Sequence, residues 1–407
     1  MPVAARISLV SEEFFGTHAL LILHPNIRIW DRHCCTISSL SVFFFKCNLT
    51  FISRLVMGNI CLRGLFDSGS PRPEQEEPKK FSWETREKVD MAQYTIEQVH
   101  SAEAGRAPGQ IGGQQFIVRD CQNAHIYLLD AVNTITVDDC TDCVLIIGAV
   151  KGSLFLRNCK QCKVVAACGQ FRTRDCQMVD TYLHCSTQPI IEASTNMRFA
   201  CYRLHYPQLK DHFDAMGLQI FSSCWSNIHD FTPVDGESNW EVMEEKEAET
   251  ADIRLPADEP LRSVGLSLDR EASLVPLTEG RVRTSGPMAL VLFFPDGQQD
   301  ERAAAFHRTL IKQQPHLKAT YSREVKLTPL QLEAIVKTNA YSALVEKDNV
   351  IGIQYCGEDV IKHCQKVALE TATATGLTGL VYISSSQQAA LAQVETLFSA
   401  GHVQMAG

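Results

Sequence analysis

Between residues 115 and 183, apolar and polar positions alternate in short runs that recur at a nearly fixed period. Four runs share one form: Gln115-Phe-Ile-Val-Arg-Asp-Cys121, Thr134-Ile-Thr-Val-Asp-Asp-Cys140, Ser153-Leu-Phe-Leu-Arg-Asn-Cys159 and Gln170-Phe-Arg-Thr-Arg-Asp-Cys176. Their cysteines fall 19, 19 and 17 residues apart. Period-two alternation predicts a strand in each run, and the Asp or Asn before each Cys predicts a corner. A second short strand follows five to seven residues on, carrying Ile126 and Leu128, Leu145 and Ile147, Val164 and Ala166, or Thr181 and Leu183. One such coil cannot bury its own apolar face, so the repeat predicts coils stacked into a right-handed parallel β-helix.

The alternation also assigns faces. Phe116, Val118, Ile135, Val137, Leu154, Leu156, Phe171 and Thr173 point inward. Ile117, Arg119, Thr136, Asp138, Phe155, Arg157, Arg172 and Arg174 point outward, with Gln170 on the row of Arg172 and Arg174.

Past residue 288 the pattern changes. Strands are predicted at Ala289 to Phe294, Val350 to Tyr355 and Gly379 to Ser384, and helices at Glu301 to Gln313, Pro329 to Thr338, Glu358 to Thr371 and Gln387 to Phe398. This reads as a separate α/β domain. The expected organisation is an atypical extension over 1–56, a lipid-anchor segment and linker over 57–77, the β-helix over 78–233, an acidic and polar linker over 234–287, and the α/β domain over 288–407. The prolines and charges of 68–80 mark an exposed linker.

Composition narrows the classes. Of 407 residues, 45% are hydrophobic and 21% charged, and the net charge is −9, so no basic surplus supports nucleic-acid binding. No clean secretory pattern opens the chain, so its 16 cysteines are expected as reduced thiols in a cytosolic compartment.

Two features invite chemistry. Cys140-x₂-Cys143 with Cys159-x₂-Cys162 has zinc-ligand spacing. Yet Cys121 and Cys176 fill the same slot with Ala124 and Val179 in place of the second Cys. A ladder of small buried thiols accounts for every coil, so no metal is expected. The Gln170–Arg174 strip is rigid, outward and cationic. A solvated face is the ordinary reading of such residues and the one the sequence alone favours; the alternative is a surface for phosphate, which forked guanidinium donors recognise.

Further segments carry a resemblance: Phe81-Ser-Trp-Glu-Thr-Arg-Glu-Lys-Val-Asp90, Gly112-Gly113-Gln114-Gln115-Phe116, Thr187-Gln-Pro-Ile-Ile-Glu192 and Trp225-Ser-Asn-Ile-His-Asp-Phe-Thr-Pro233. With the Asp/Asn-Cys coils they resemble the retinitis pigmentosa 2 family and, more distantly, tubulin-folding cofactor C. The resemblance is dense over 78–235 and weaker to about 400. It implies a cofactor C-like β-helix that activates a GTP-bound Arf-like small GTPase in ciliary or membrane-protein trafficking. It also implies a ferredoxin-like, nucleoside diphosphate kinase-like second domain, read as non-catalytic because His307, His316, His363 and His402 lie in no phosphohistidine motif.

By position, the resemblance makes Arg172 the arginine finger and Gln170 its support, with Glu192, Arg174 and Phe231 contacting the GTPase. Gly169 stands where the family has a second Gln. No cofactor of the protein's own is implied, since GTP and Mg belong to the partner. Met57-Gly58-Asn59-Ile60-Cys61 is similar to the family's acylated start, with Gly58 as myristoylation and Cys61 as palmitoylation site. Gly58 is modifiable only when translation begins at Met57, and Leu62 replaces the usual Ser or Thr. The expected location is the cytoplasmic face of the plasma membrane and ciliary base for a chain begun at Met57, and the cytoplasm for one retaining 1–56. Competing readings are a non-catalytic effector of the same GTPase and a tubulin-folding factor.

Overall fold

The computed structural model describes residues 91–250, 253–375 and 379–404. The 81–90 motif, the 68–80 linker, residues 1–56, Gly58 and Cys61 lie outside them. The first part holds strands β1 (Thr95–Glu97), β2 (Glu103–Arg106), β3 (Phe116–Arg119), β4 (His125–Val132), β5 (Ile135–Asp138), β6 (Val144–Arg157), β7 (Lys163–Arg174), β8 (Gln177–Cys185), β9 (Ile190–Glu192) and β10 (Thr195–Cys201). Helix α1 (Leu209–Met216), β11 (His229–Asp230), β12 (Trp240–Val242) and helix α2 (Glu245–Thr250) follow.

All pairings among these strands are parallel. One face runs β1, β3, β5, the ends of β6 and β7, β9 and β11; another runs β2, β4, the starts of β6 and β7, β8, β10 and β12. This is the parallel β-helix that the repeat predicts. Every inward position named above is buried, as are the paired residues of the second strands. The corners explain the recurring Asp/Asn: Asp120, Asp139, Asn158 and Asp175 all have left-handed backbones, with φ of 51–55°. Asp and Asn tolerate that region because their short polar side chains bond locally. Each corner N–H then donates to the next coil, as Asp139 does to Arg157 O at 3.0 Å and Asp175 to Glu192 O at 3.1 Å.

Cys121, Cys140, Cys159 and Cys176 stack as free, buried thiols, with Cys143 and Cys162 beside them. Cys140, Cys159 and Cys176 Sγ each donate to the carbonyl two residues earlier at 3.3 Å.

The second part comprises β13 (Met288–Phe293), α3 (Gln299–Gln313), β14 (Lys318–Val325), α4 (Pro329–Val336), α5 (Ser342–Val345), β15 (Val350–Cys356), α6 (Val360–Thr375), β16 (Val381–Ile383) and α7 (Gln387–Gln404). Its sheet is antiparallel in the order β14-β15-β13-β16, a ferredoxin-like arrangement. The strand that alternation missed is β14. Its buried Thr320, Ser322 and Arg323 erase the apolar signal.

The segment 234–287 was expected as a linker, but in the described residues it is packed against both parts. Leu261, Leu266 and Val275 are buried in a core that also holds Tyr182 and Tyr202 of the β-helix and Phe306 and Tyr355 of the α/β part. Polar composition hid these contacts, because much of the attachment uses backbone: Tyr127 donates to Arg254 O at 3.0 Å, and Ala257 N donates to Glu103 at 3.0 Å.

Candidate functional site

The outward side of the first face carries two parallel rows. Register places Ile117, Thr136, Phe155, Arg172, Ile190 and His229 successively side by side. Two residues along the strands, Glu97, Arg119, Asp138, Arg157, Arg174 and Glu192 form a second row.

The second row is a ladder of charges, largely neutralised within itself. Arg119 pairs with Glu97 at 2.5 Å, Arg157 pairs with Asp138 through two contacts of 2.6 and 2.7 Å, and Arg174 pairs with the adjacent Asp175 at 3.3 Å. Donation to the Glu97 and Asp138 carboxylates raises the Arg119 and Arg157 pKa values above the usual guanidinium range.

Arg172 differs from these three. It is exposed, and among the described residues its guanidinium has no hydrogen-bond or ion-pair partner. The Glu192 carboxylate is likewise exposed and unpaired among the described residues, one strand over and two residues along. Gln170 is exposed on the same face of β7 two residues before Arg172, and its Oε1 accepts from Ser153 Oγ at 3.1 Å rather than touching Arg172. Phe231 is 59% exposed, with its ring edge against His229 at 4.6 Å and its N–H donating to Ile191 O at 2.9 Å. The fold therefore brings Arg172, Arg174, Glu192 and Phe231 onto one surface, with Gln170 at its border.

Gly169 has a steric cause. The coil between Cys159 and Cys176 is two residues shorter than its predecessors, and β7 draws close to β6. A Cβ at Gly169 would lie 2.5 Å from Lys151 O, so a side chain there requires backbone displacement. Its carbonyl accepts from Thr187 N at 3.1 Å and Thr187 Oγ1 at 3.0 Å.

Alternation assigns Phe155 an outward face but does not place it or Ile190 beside Arg172. Cross-strand register does that, and it depends on the lengths of the intervening corners.

Comparison with known proteins fixes the family. The chain is 39% identical to Protein XRP2 of Danio rerio over 336 residues, covering 81% of this chain and 88% of that protein. It is 37% identical to Protein XRP2 of Homo sapiens, covering 82% of this chain and 95% of that protein. This chain belongs to the XRP2 family. The family model described as Tubulin binding cofactor C matches residues 113–231, the span of the β-helix that carries Arg172. Solved structures similar to the chain include Tubulin Binding Cofactor C from Leishmania major, with 24% identity over 36% of this chain and 90% of that chain and a TM-score of 0.26. Nucleoside diphosphate kinase of Aquifex aeolicus matches 27% of this chain and 93% of that chain, with 14% identity and a TM-score of 0.24. In the α/β part, His307 Nδ1 lies 3.2 Å from Tyr355 OH, and His316 and His363 meet with ring centroids 5.8 Å apart.

Proposed function

We propose that this XRP2-family protein accelerates GTP hydrolysis by an Arf-like small GTPase, with Arg172 entering the partner's nucleotide site in trans. The observation that carries the reading is the unpaired guanidinium of Arg172 in a row otherwise without charge, next to a row whose arginines all have carboxylates. An arginine committed to a neighbouring carboxylate would have to break that pair before reaching a phosphate, whereas Arg172 is available without that cost.

In phosphoryl transfer, negative charge spreads over the γ-phosphoryl oxygens and the leaving oxygen. A cation supplied in trans is worth about 10³–10⁵ in rate, or on the order of 4–7 kcal/mol of barrier. A guanidinium on a strand of a continuous sheet loses little further freedom when it docks. Gln170 flanks the finger, and the unpaired Glu192 supplies a carboxylate for a basic residue of the GTPase. Arg174 and Phe231 extend the contact surface on either side of Glu192. GTP and Mg²⁺ belong to the partner. We further propose that a chain begun at Met57 is anchored to membrane by acyl groups on Gly58 and Cys61, two lipids being needed for stable attachment.

The deciding experiment is single-turnover GTP hydrolysis by a purified Arf-like GTPase with and without the protein. Acceleration that Arg172→Ala removes supports the reading. Binding to the GTP-bound GTPase without acceleration would make the protein an effector instead.

A further inference from the structure

Arg172 stands between two apolar side chains. Phe155 is its direct neighbour on the preceding coil and Ile190 on the following one, each one strand spacing away, about 5 Å. Both are half-exposed and point outward, in contrast to the fully buried inward residues beside them. Next to Ile190 the row continues with His229, whose ring meets that of the exposed Phe231. Neither flanking position carries charge; of the charges two residues further along these three strands, Arg157 and Arg174 are occupied by Asp138 and Asp175, and Glu192 lies diagonal to Arg172 without pairing to it.

Resting on the arginine-finger reading above, we infer that Phe155 and Ile190 form an apolar collar that dries the surroundings of Arg172 when a GTP-bound small GTPase docks. A cation aimed at developing phosphate charge acts more strongly where water is excluded, because the effective dielectric constant falls. Half-exposed apolar side chains beside the finger supply that exclusion only once a partner closes over them, much as peripheral contacts exclude water from a hot spot. A polar or charged neighbour would keep water and counter-ions at the guanidinium. The arrangement therefore does two things: it keeps carboxylates out of the positions directly beside the finger, and it prepares an apolar surround that dries on docking. The occupant is specified by charge complementarity, since the exposed, unpaired Arg172 and Glu192 call for an anionic nucleotide and a basic protein residue on one partner surface.

Phe155 and Ile190 act through Arg172 and are positioning residues. Their signature is a loss of turnover at saturation with little loss of affinity, together with a new salt sensitivity, because ions then reach the finger.

The test uses the full chain, titrated to saturation against a GTP-loaded Arf-like GTPase in single-turnover hydrolysis at low and high salt. Phe155→Ser and Ile190→Thr should each lower the saturated rate by about tenfold. The half-saturating concentration should change by less than about twofold. Both variants should make the rate fall with added salt, and Phe155→Leu should keep the wild-type rate and salt profile. Thermal melts of the variants separate a folding defect from a loss of turnover, and Ile190→Thr keeps a β-branched residue in the strand. If Arg172→Ala retains full acceleration, the finger reading fails and the collar with it. If Arg172→Ala abolishes acceleration while Phe155→Ser and Ile190→Thr keep the saturated rate, or lose only affinity, the finger stands and the collar is overturned.

Discussion

Thr173 Oγ1 donates to Ser194 Oγ at 3.1 Å directly beneath the strands that carry Arg172 and Glu192. Thr173 takes an inward position that Val118, Val137 and Leu156 fill in the preceding coils. Its hydroxyl is tolerated in the core because Ser194 receives it. Ser194 in turn donates to Glu192 O at 2.9 Å and accepts from Cys176 N at 3.2 Å. One buried hydroxyl thus ties β7 to β9, and with them the two sides of the charged surface.

Replacing Ser194 by Ala should leave the Thr173 hydroxyl and the Cys176 N–H unsatisfied. The expected loss of stability is about 1–3 kcal/mol, read as a lower midpoint in urea with an unchanged slope. Thr173→Val in the same background should recover part of it, because it removes one of the two orphaned groups. Equal stability of Ser194→Ala and wild type would show that the network is not a structural tie.

Arg172→Ala should leave the melting temperature and GTPase binding nearly unchanged, since the side chain touches no other charged group. Stimulated hydrolysis should fall by about 10³-fold or more. Arg172→Lys should recover little, because a point charge does not reproduce the planar fork. Glu192→Ala should weaken binding more than it lowers turnover at saturation. Arg174→Ala removes an exposed pair with Asp175, worth at most about 1 kcal/mol, and one contact of the same surface, so it should weaken binding modestly and leave the saturated rate unchanged. Full acceleration by Arg172→Ala with normal binding would discard the finger.

Much of this architecture was legible because a period-two code repeated through the coils has only one economical way to bury its faces. The Asp/Asn residues before Cys121, Cys140, Cys159 and Cys176 marked the corners for a backbone reason, their positive φ. What escaped the pattern has physical causes. Strand β14 buries Thr320, Ser322 and Arg323, so its alternation is chemically mute. The 234–287 segment buries Leu261, Leu266 and Val275, scattered without a strand or helix period, while its acidic composition suggests solvent. In the site, Arg172 and Glu192 were readable as types, but their lack of partners was not. That property depends on Asp138 reaching Arg157 and Asp175 reaching Arg174.

The stacked thiols give a third expectation. Cys159 Sγ donates to Arg157 O and Val137 O, and its sulfur fills space between coils. Cys159→Ser retains a donor for these carbonyls but replaces the sulfur by a smaller, more polar oxygen in an apolar stack, so stability should drop by about 1–3 kcal/mol. Cys140→Ser should behave alike. Chelators should not alter the melt of the wild type. Elemental analysis finding one zinc per chain would contradict the packed-thiol reading.

The proposed anchor is tested by lipid chemistry. A chain translated from Met57 in cells supplied with labelled myristate should incorporate label and sediment with membranes, and Gly58→Ala should abolish both. Cys61→Ser should leave the myristate but make attachment reversible, since one acyl chain binds only marginally. Lipid found by mass spectrometry on Gly58 of a chain that still carries residues 1–56 would refute the requirement for a start at Met57.

Stability at the attachment of the α/β part is expected to depend on pH through Glu324. Its carboxylate accepts from Phe221 N at 3.1 Å, while its own N–H donates to Ser222 Oγ at 2.9 Å. Both contacts join β14 to the segment that follows α1. Burial pushes the Glu324 pKa up from 4.5 to about 7; the Phe221 N–H opposes this, Asp300 and Asp348 add to it, and Lys210 counters weakly. The folded protein therefore holds this proton to higher pH than the unfolded chain does. The stabilisation is complete below the unfolded pKa and is lost as pH rises through about 7, the reverse of an ion-paired carboxylate. Between pH 5 and 8 the loss should be on the order of 2 kcal/mol. Glu324→Gln preserves the acceptor for Phe221 without the charge, so its stability should change less over that range and exceed wild type at pH 8. Other titrating groups cancel in the comparison, because only the difference between the two proteins is read. Parallel melting-temperature profiles for wild type and Glu324→Gln from pH 5 to 8 would show that Glu324 ionises freely in the folded state, and would remove it as the source of any pH sensitivity at this junction.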